Sequence, residues 1–163
     1  MGFLTGKTAI ITGGGRAVLS NGECGSIGYG IATAYAKEGA NLVLTGRNVQ
    51  KLTDAKEELE KKYGIKVLPV QADVSAGSDN EAIVQNVVKQ AIDTFGRIDV
   101  LINNAQASAS GVTIADHTTE QFDLAVYSGL YAAFYYMKAC YPYLKETKGL
   151  SLIHISEPTR LDV

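Results

Sequence analysis

Residues 8 to 16 read Thr8-Ala9-Ile10-Ile11-Thr12-Gly13-Gly14-Gly15-Arg16, a short apolar segment that runs straight into a glycine-rich turn. An uninterrupted apolar run of this length suits a strand covered on both faces, which carries no polar alternation. Three similar runs follow: Asn41-Leu42-Val43-Leu44, Lys66-Val67-Leu68-Pro69-Val70 and Asp99-Val100-Leu101-Ile102. Amphipathic stretches lie between them. Leu52, Ala55, Leu59 and Tyr63 share one helical face, and Val84, Val87, Val88, Ala91, Ile92 and Phe95 share another, both close to the 3.6-residue helical period. Ser78 with Glu81 and Thr118 with Gln121 have capping-box spacing and predict two helix starts. Gly39, Gly64 and Gly96 each follow a proposed helix and precede a strand, where only glycine takes the left-handed C′ conformation without steric cost.

Strand, helix and glycine repeated three times read as βαβ units, whose right-handed crossovers give a parallel sheet with helices on both faces. The predicted fold is α/β, a doubly wound parallel sheet of Rossmann-like type. Pro69 lacks a ladder donor, and the strand order 3-2-1-4-5 places its strand at the edge, where that is tolerated. The 163 residues suit one compact domain, and 46% apolar with 20% charged residues match a globular chain. A net charge of −2 is too small for general nucleic-acid capture. Cys24 and Cys140 form no Cys-x-x-Cys pair, which predicts neither a disulfide framework nor a metal site and suits a reducing cytoplasm. No apolar run approaches the roughly 18 residues of a membrane helix, and the first residues lack an export signal.

The glycine turn stands between the first strand and a helix that opens near Ser26-Ile27-Gly28-Tyr29-Gly30. There, glycines admit backbone amides close to a pyrophosphate and the helix N-terminus adds partial positive charge. Thr12, Gly13, Gly15, Arg16, Ser26, Ile27 and Gly28 are therefore candidate cofactor residues; a ligand-free glycine turn is the bland alternative. The second strand continues into Thr45-Gly46-Arg47-Asn48. An NAD site usually places an acid near this point, and that acid would repel a 2′-phosphate. Gly46 removes the repulsion and Arg47 offers a guanidinium, so NADP is the expected cofactor, with NAD as the alternative. A charge-assisted pair is worth roughly 1.5–3 kcal/mol. Arg47 as a solvated residue heading the next helix is the competing view.

Four motifs in order resemble the N-terminal half of a short-chain dehydrogenase/reductase: the loop from Thr12-Gly13 to Gly28, Arg47, Asp73-Val74, and Asn103-Asn104-Ala105. The resemblance implies that Asp73 and Val74 flank the adenine, and that Asn103 and Ala105 line the ribose and steady the central strand. Ser26 to Ala32, Asn103 to Gly111 and Tyr127 to Tyr131 are similar to bacterial 12α-hydroxysteroid dehydrogenases. The implied activity is hydride transfer between NADP(H) and a secondary alcohol or ketone, a hydroxysteroid or a 3-oxoacyl thioester among them. A small-molecule substrate, a homo-oligomer, and no nucleic-acid or membrane partner are the corresponding expectations.

Three positions depart from the family pattern. The span from Gly13 to Gly28 exceeds the usual spacing of roughly six residues, which predicts an excursion over Val18 to Gly25. Gln106 stands in place of the Gly of Asn-Asn-Ala-Gly, and Gly129 in place of a helix Asn that relays protons. The family's Ser, Tyr and Lys are implied beyond about Gly149, so no catalytic residue is assigned in this chain. Leu150 to Arg160 resembles a translated sequencing-library adapter. Residues 1–149 are thus expected to be an incomplete NAD(P)-binding domain, truncated after about the fourth or fifth strand. Residues 150–163 are expected to be a non-native tail, against a natural fifth strand at Leu152 to Ile155 with Ser156 at the family's Ser. Such a polypeptide is expected to be inactive and poorly soluble alone.

Tyr141-Pro142-Tyr143-Leu144-Lys145 fits Tyr-x-x-x-Lys but precedes the fifth strand, and Pro142 is expected to break the helix that would align the pair. Tyr131, Tyr135 and Tyr136 read as helix packing or a subunit surface, and His117 and His154 have no ligand-spaced partners. A nucleotide-binding module without turnover is the rival from another class. An ATP-binding loop is disfavoured because no Gly-Lys-Ser/Thr closes the turn.

Overall fold

The computed structural model describes residues 2–153. Five parallel strands, β1 (Thr8–Thr12), β2 (Asn41–Gly46), β3 (Val67–Gln71), β4 (Val100–Asn103) and β5 (Leu150–Ile153), form one sheet in the order β3-β2-β1-β4-β5. Helices α1 (Ile27–Lys37), α2 (Val49–Tyr63), α3 (Asn80–Phe95), α4 (Thr119–Val126) and α5 (Ala132–Thr147) connect them. The doubly wound α/β class read from the sequence is the observed one.

Alternate strand residues feed opposite cores, as the two-residue strand period requires. Ile11, Leu42 and Leu44 pack with Tyr29, Leu52 and Leu59 on one face. Ile10, Val43 and Leu101 pack with Val84, Val87 and Tyr136 on the other. Both faces are dry, which explains the absence of polar alternation in the strands. Pro69 pairs with Leu44 on the edge strand β3. Gly39, Gly64 and Gly96 all have positive φ, at 84°, 68° and 72°, and terminate their helices as expected.

Two local expectations are overturned. The Ser78–Glu81 capping box does not form: a 3₁₀ turn at Gly77–Asp79 precedes α3, and Asp79 has helical backbone angles of −83° and −7°. An N-cap side chain needs an extended backbone at its own residue, and here the preceding loop is closed differently, by Asn80 Nδ2 donating to the Val74 carbonyl at 2.6 Å. The Thr118–Gln121 box, by contrast, is complete. Pro142 does not break its helix either: α5 continues through it to Thr147, because the packing of α5 on α3 and the second core offsets one missing amide bond.

At the end of the sheet opposite the strand C-termini, Asp99 is 3% exposed. It takes two bonds from Arg97, at 2.8 and 2.6 Å, and one from the Thr8 amide at 2.9 Å. Leu150 to Ile153 run in register beside Val100 to Asn103. Ser156 and His154 lie outside the described residues, with the rest of 154–163.

Candidate functional site

Every loop that leaves the C-terminal end of β1, β2, β3 or β4 opens onto the same cleft. Its walls are Gly13 after β1, Gly46 and Arg47 at β2, Asp73 and Val74 after β3, and Ala105, Gln106 and Ala107 after β4, around about 260 Å³. An adjoining recess of about 270 Å³ is bounded by Gly15, Ser26, Arg47, Asn48 and Lys51, with Gly13 between the two spaces. A topological switch point of this kind, where the chain turns to opposite sides of the sheet, is where open α/β sheets place ligands.

Thr12 ties the cleft floor together. Its hydroxyl accepts the amides of Asn104 and Ala105, each at 2.9 Å, and the Asn104 side chain donates to the Thr12 carbonyl at 2.8 Å. Gly13 has φ of 71°, and a Cβ there would come within 2.9 Å of Asn104 Nδ2. Gly28, in the first turn of α1, packs under Gly13: an added Cβ would overlap the Gly13 carbonyl. These two glycines let α1 approach the strand end. Ser26 caps α1 through the Tyr29 amide at 3.4 Å. Between Gly13 and Ser26, the expected excursion over Val18 to Gly25 carries an antiparallel bridge from Val18 to Cys24.

Among the expected site residues, Gly13, Arg47, Asp73, Val74 and Ala105 meet in the cleft, and Gly15 and Ser26 join Arg47 in the recess. Thr12 and Gly28 lie beneath as scaffold. Ile27 is half exposed. Arg16 turns to α2, where its Nε donates to Glu58 at 2.5 Å. Asn103 is buried at the end of β4, and its carboxamide has no protein hydrogen-bond partner among the described residues.

Asp73 receives the amide and hydroxyl of Ser75 at 2.9 and 2.6 Å. Burial alone would raise its pKa, but these bonds and the charge of Arg47 outweigh it, and the carboxyl titrates below its ordinary range. The cleft therefore holds one fixed anion and, in the recess, two cations.

Three contributors were not anticipated. Asn48 caps α2 by accepting the Lys51 amide at 3.0 Å; an Asn directly before an amphipathic run is a cap signal that could have been read. Lys51, in the first turn, then faces the recess. Ser128, 1% exposed, sits in a π turn, Tyr127–Tyr131, between α4 and α5 and accepts the Ala107 amide at 2.9 Å. No sequence pattern announces that turn. It also brings the two departures at 106 and 129 near each other: a Cβ added at Gly129 would stand 3.6 Å from Gln106 Nε2, an ordinary contact.

The remaining Tyr-x-x-x-Lys match stands elsewhere. Tyr141 and Lys145 are exposed near the end of α5, which is held at the opposite end of the strands by Thr147 donating to the Ile98 carbonyl at 2.8 Å. Tyr136 belongs to the core.

A family model described as short chain dehydrogenase matches residues 7–158. The chain is 65% identical over 149 residues to a 12alpha-hydroxysteroid dehydrogenase from Clostridium sp., covering 91% of this chain and 55% of that protein. Among solved structures, an L-sorbose reductase from Gluconobacter frateurii complexed with NADPH and L-sorbose matches with TM-score 0.78 and 31% identity, over 94% of this chain and 53% of that one. An alcohol dehydrogenase from Thermococcus sibiricus complexed with 5-hydroxy-NADP matches with TM-score 0.78 and 30% identity, over 90% and 57%. The chain spans about half the length of these relatives. The matched residues include the whole of the cleft, and the chain belongs to the short-chain dehydrogenase family.

Proposed function

We propose that this chain is the cofactor-binding part of an oxidoreductase that moves hydride between NADP(H) and a secondary alcohol or ketone, with a hydroxysteroid as the leading substrate. One observation carries the cofactor assignment: Arg47 borders both the cleft and the recess, beside Gly46 and Lys51, with no carboxylate at the end of β2. Two cations and a helix N-terminus suit a 2′-phosphate, and a missing acid removes the usual NAD contact. The close packing of Gly13 and Gly28 fits a backbone that must approach a pyrophosphate. Arg16 joins this set only by leaving Glu58.

In this reading Arg47 and Lys51 hold the 2′-phosphate, Asp73 and Val74 border the adenine, and Ala105 lines the ribose. Thr12 keeps the ends of β1 and β4 at fixed spacing, and the buried Asn103 steadies the central strand. The bound coenzyme supplies the hydride acceptor or donor. Identity to the Clostridium hydroxysteroid dehydrogenase supports the substrate class. The 163 residues by themselves are proposed to bind coenzyme without turnover, because their Tyr141–Lys145 pair stands toward the end of the sheet opposite the cleft.

Free thiols at Cys24 and Cys140 support a reducing, cytoplasmic setting; among the described residues no helix is long and apolar enough to cross a membrane. Exposed Phe122, Leu130 and Phe134 on α4 to α5 support self-association of the whole protein. The resemblance of residues 150–160 to a translated adapter supports a non-natural origin for that segment, although Leu150–Ile153 pair with β4 as the fifth strand and the family match runs to residue 158; a genomic copy reading through them unchanged would refute it.

Calorimetric titration with NADPH and NADH tests the cofactor assignment. NADPH is expected to bind at least ten-fold more tightly, and Arg47→Ala to erase most of that difference. Equal affinity for the two coenzymes in the unaltered chain would overturn the preference.

A further inference from the structure

Arg16 is the single cation between Gly13 and Gly28, and its side chain leaves the space that its neighbours line. Gly15 and Ala17, on either side of it, border the recess with Arg47 and Lys51. Its backbone is tied to the start of α2, with the Arg16 amide donating to the Lys51 carbonyl at 2.7 Å. The guanidinium nevertheless runs along α2 to Glu58, where Nε donates to the carboxylate at 2.5 Å. Glu58 is seven residues beyond Lys51 on the same helix, two turns or about 10 Å away.

Charge explains where the guanidinium lies. Bonding to Arg16 holds the Glu58 carboxyl below its ordinary range, although burial acts the other way, so the group is ionised at neutral pH. Asp54, one turn nearer the recess, also attracts Arg16, but its carboxylate already accepts from Gln50 Nε2 at 2.8 Å. A third cation beside Arg47 and Lys51 is opposed by like charge. The pair with Glu58 is nonetheless open to solvent, its side chains 36% and 35% exposed, and ion pairs of that kind are weak. A guanidinium on a phosphate makes stronger, charge-assisted bonds. Rotation of the Arg16 side chain toward the recess therefore requires only that Glu58 be given up.

We propose that Glu58 is a specificity-determining residue that acts through Arg16: by competing for the guanidinium it keeps the recess at two cations and holds the preference for NADPH over NADH below what three would give. This rests on the dinucleotide reading above. Glu58 touches no coenzyme atom in this scheme; it is a positioning residue. The same ion pair also fastens the root of the excursion to α2, and a purely structural strut is the competing role. The two roles predict opposite signs when the carboxylate is removed, since a lost strut loosens the phosphate turn and a lost competitor strengthens phosphate binding.

Calorimetric titration of the full chain with NADPH and NADH separates them, in Glu58→Gln and in Glu58→Gln combined with Arg16→Ala. Glu58→Gln keeps the size of the side chain and removes its charge. It is expected to bind NADPH about three- to five-fold more tightly, the range of one exposed ion pair, with NADH affinity unchanged. The gain is expected to shrink at about 0.5 M salt, as a charge effect must, and to vanish in the double variant. Unchanged or weaker NADPH binding in Glu58→Gln, a gain shared equally by NADH, or a gain that survives the loss of Arg16 overturns the inference while leaving the coenzyme site standing. An unaltered chain that binds neither coenzyme overturns the dinucleotide reading and this inference with it.

Discussion

The hydroxyl of Thr12 and the amide of Ala105 lie 2.9 Å apart across two strands that are more than 90 residues apart in sequence. Because the same oxygen also receives the Asn104 amide, one side chain sets the distance between the two strand ends that frame the cleft. Thr12→Val keeps the shape and removes the acceptor, stranding two amides. We expect a stability loss of about 2 kcal/mol and weaker NADPH binding. Urea denaturation should show a lower midpoint at unchanged slope, and Thr12→Ser should restore most of it.

The contact between Gly28 and the Gly13 carbonyl predicts an asymmetry within α1. An Ala at 28 must displace backbone, so Gly28→Ala is expected to cost about 2 kcal/mol and to abolish measurable coenzyme binding. Two residues on, a Cβ at Gly30 would meet only Cys24 Cβ, at 3.8 Å. Gly30→Ala should therefore gain about 0.5–1 kcal/mol from helix propensity alone. Thermal melts of the two variants, side by side, check the pair.

Asp99 predicts the acid limb of stability. Burial alone raises its pKa, but Arg97 and the Thr8 amide outweigh burial and the net shift is downward. A group whose folded pKa lies below its unfolded value, about 3.9 for Asp, contributes its full stabilisation above that unfolded value. The contribution is lost as pH falls through the lower folded value. Asp99→Asn is expected to lose about 2 kcal/mol at neutral pH and to show a flatter stability profile below pH 4. Denaturation midpoints between pH 3 and pH 7 measure both effects.

The two thiols should behave differently. Cys24 is exposed, whereas burial pushes the Cys140 thiol up to about 12 and the side chain is fully covered. A thiol-disulfide reagent at pH 8 should titrate one fast thiol in the folded chain and two after denaturation. Two fast thiols in the native state would mean that the second core opens.

Much of this was legible in the residues themselves. Unbroken apolar runs at Ala9–Ile11 and Leu42–Leu44, with glycines at 39, 64 and 96, dictate a parallel sheet buried on both faces. Local chemistry was enough, because strand burial and helix termination depend on a residue and its near neighbours. Arg47 and the missing acid beside it were legible for the same reason.

What the tertiary structure alone decided is which polar groups meet. Arg16 faces Glu58, forty-two residues away, and Ser78 loses its cap to a turn closed by Asn80 and Val74. Pro142 stays helical because α3 supports α5. The latch from Ser128 to Ala107 arises where the β4 exit and the π turn come together. Hydrogen bonds are short-ranged and directional, so a chain read in one dimension can specify its donors and acceptors, but only the folded backbone brings them within 3 Å of one another.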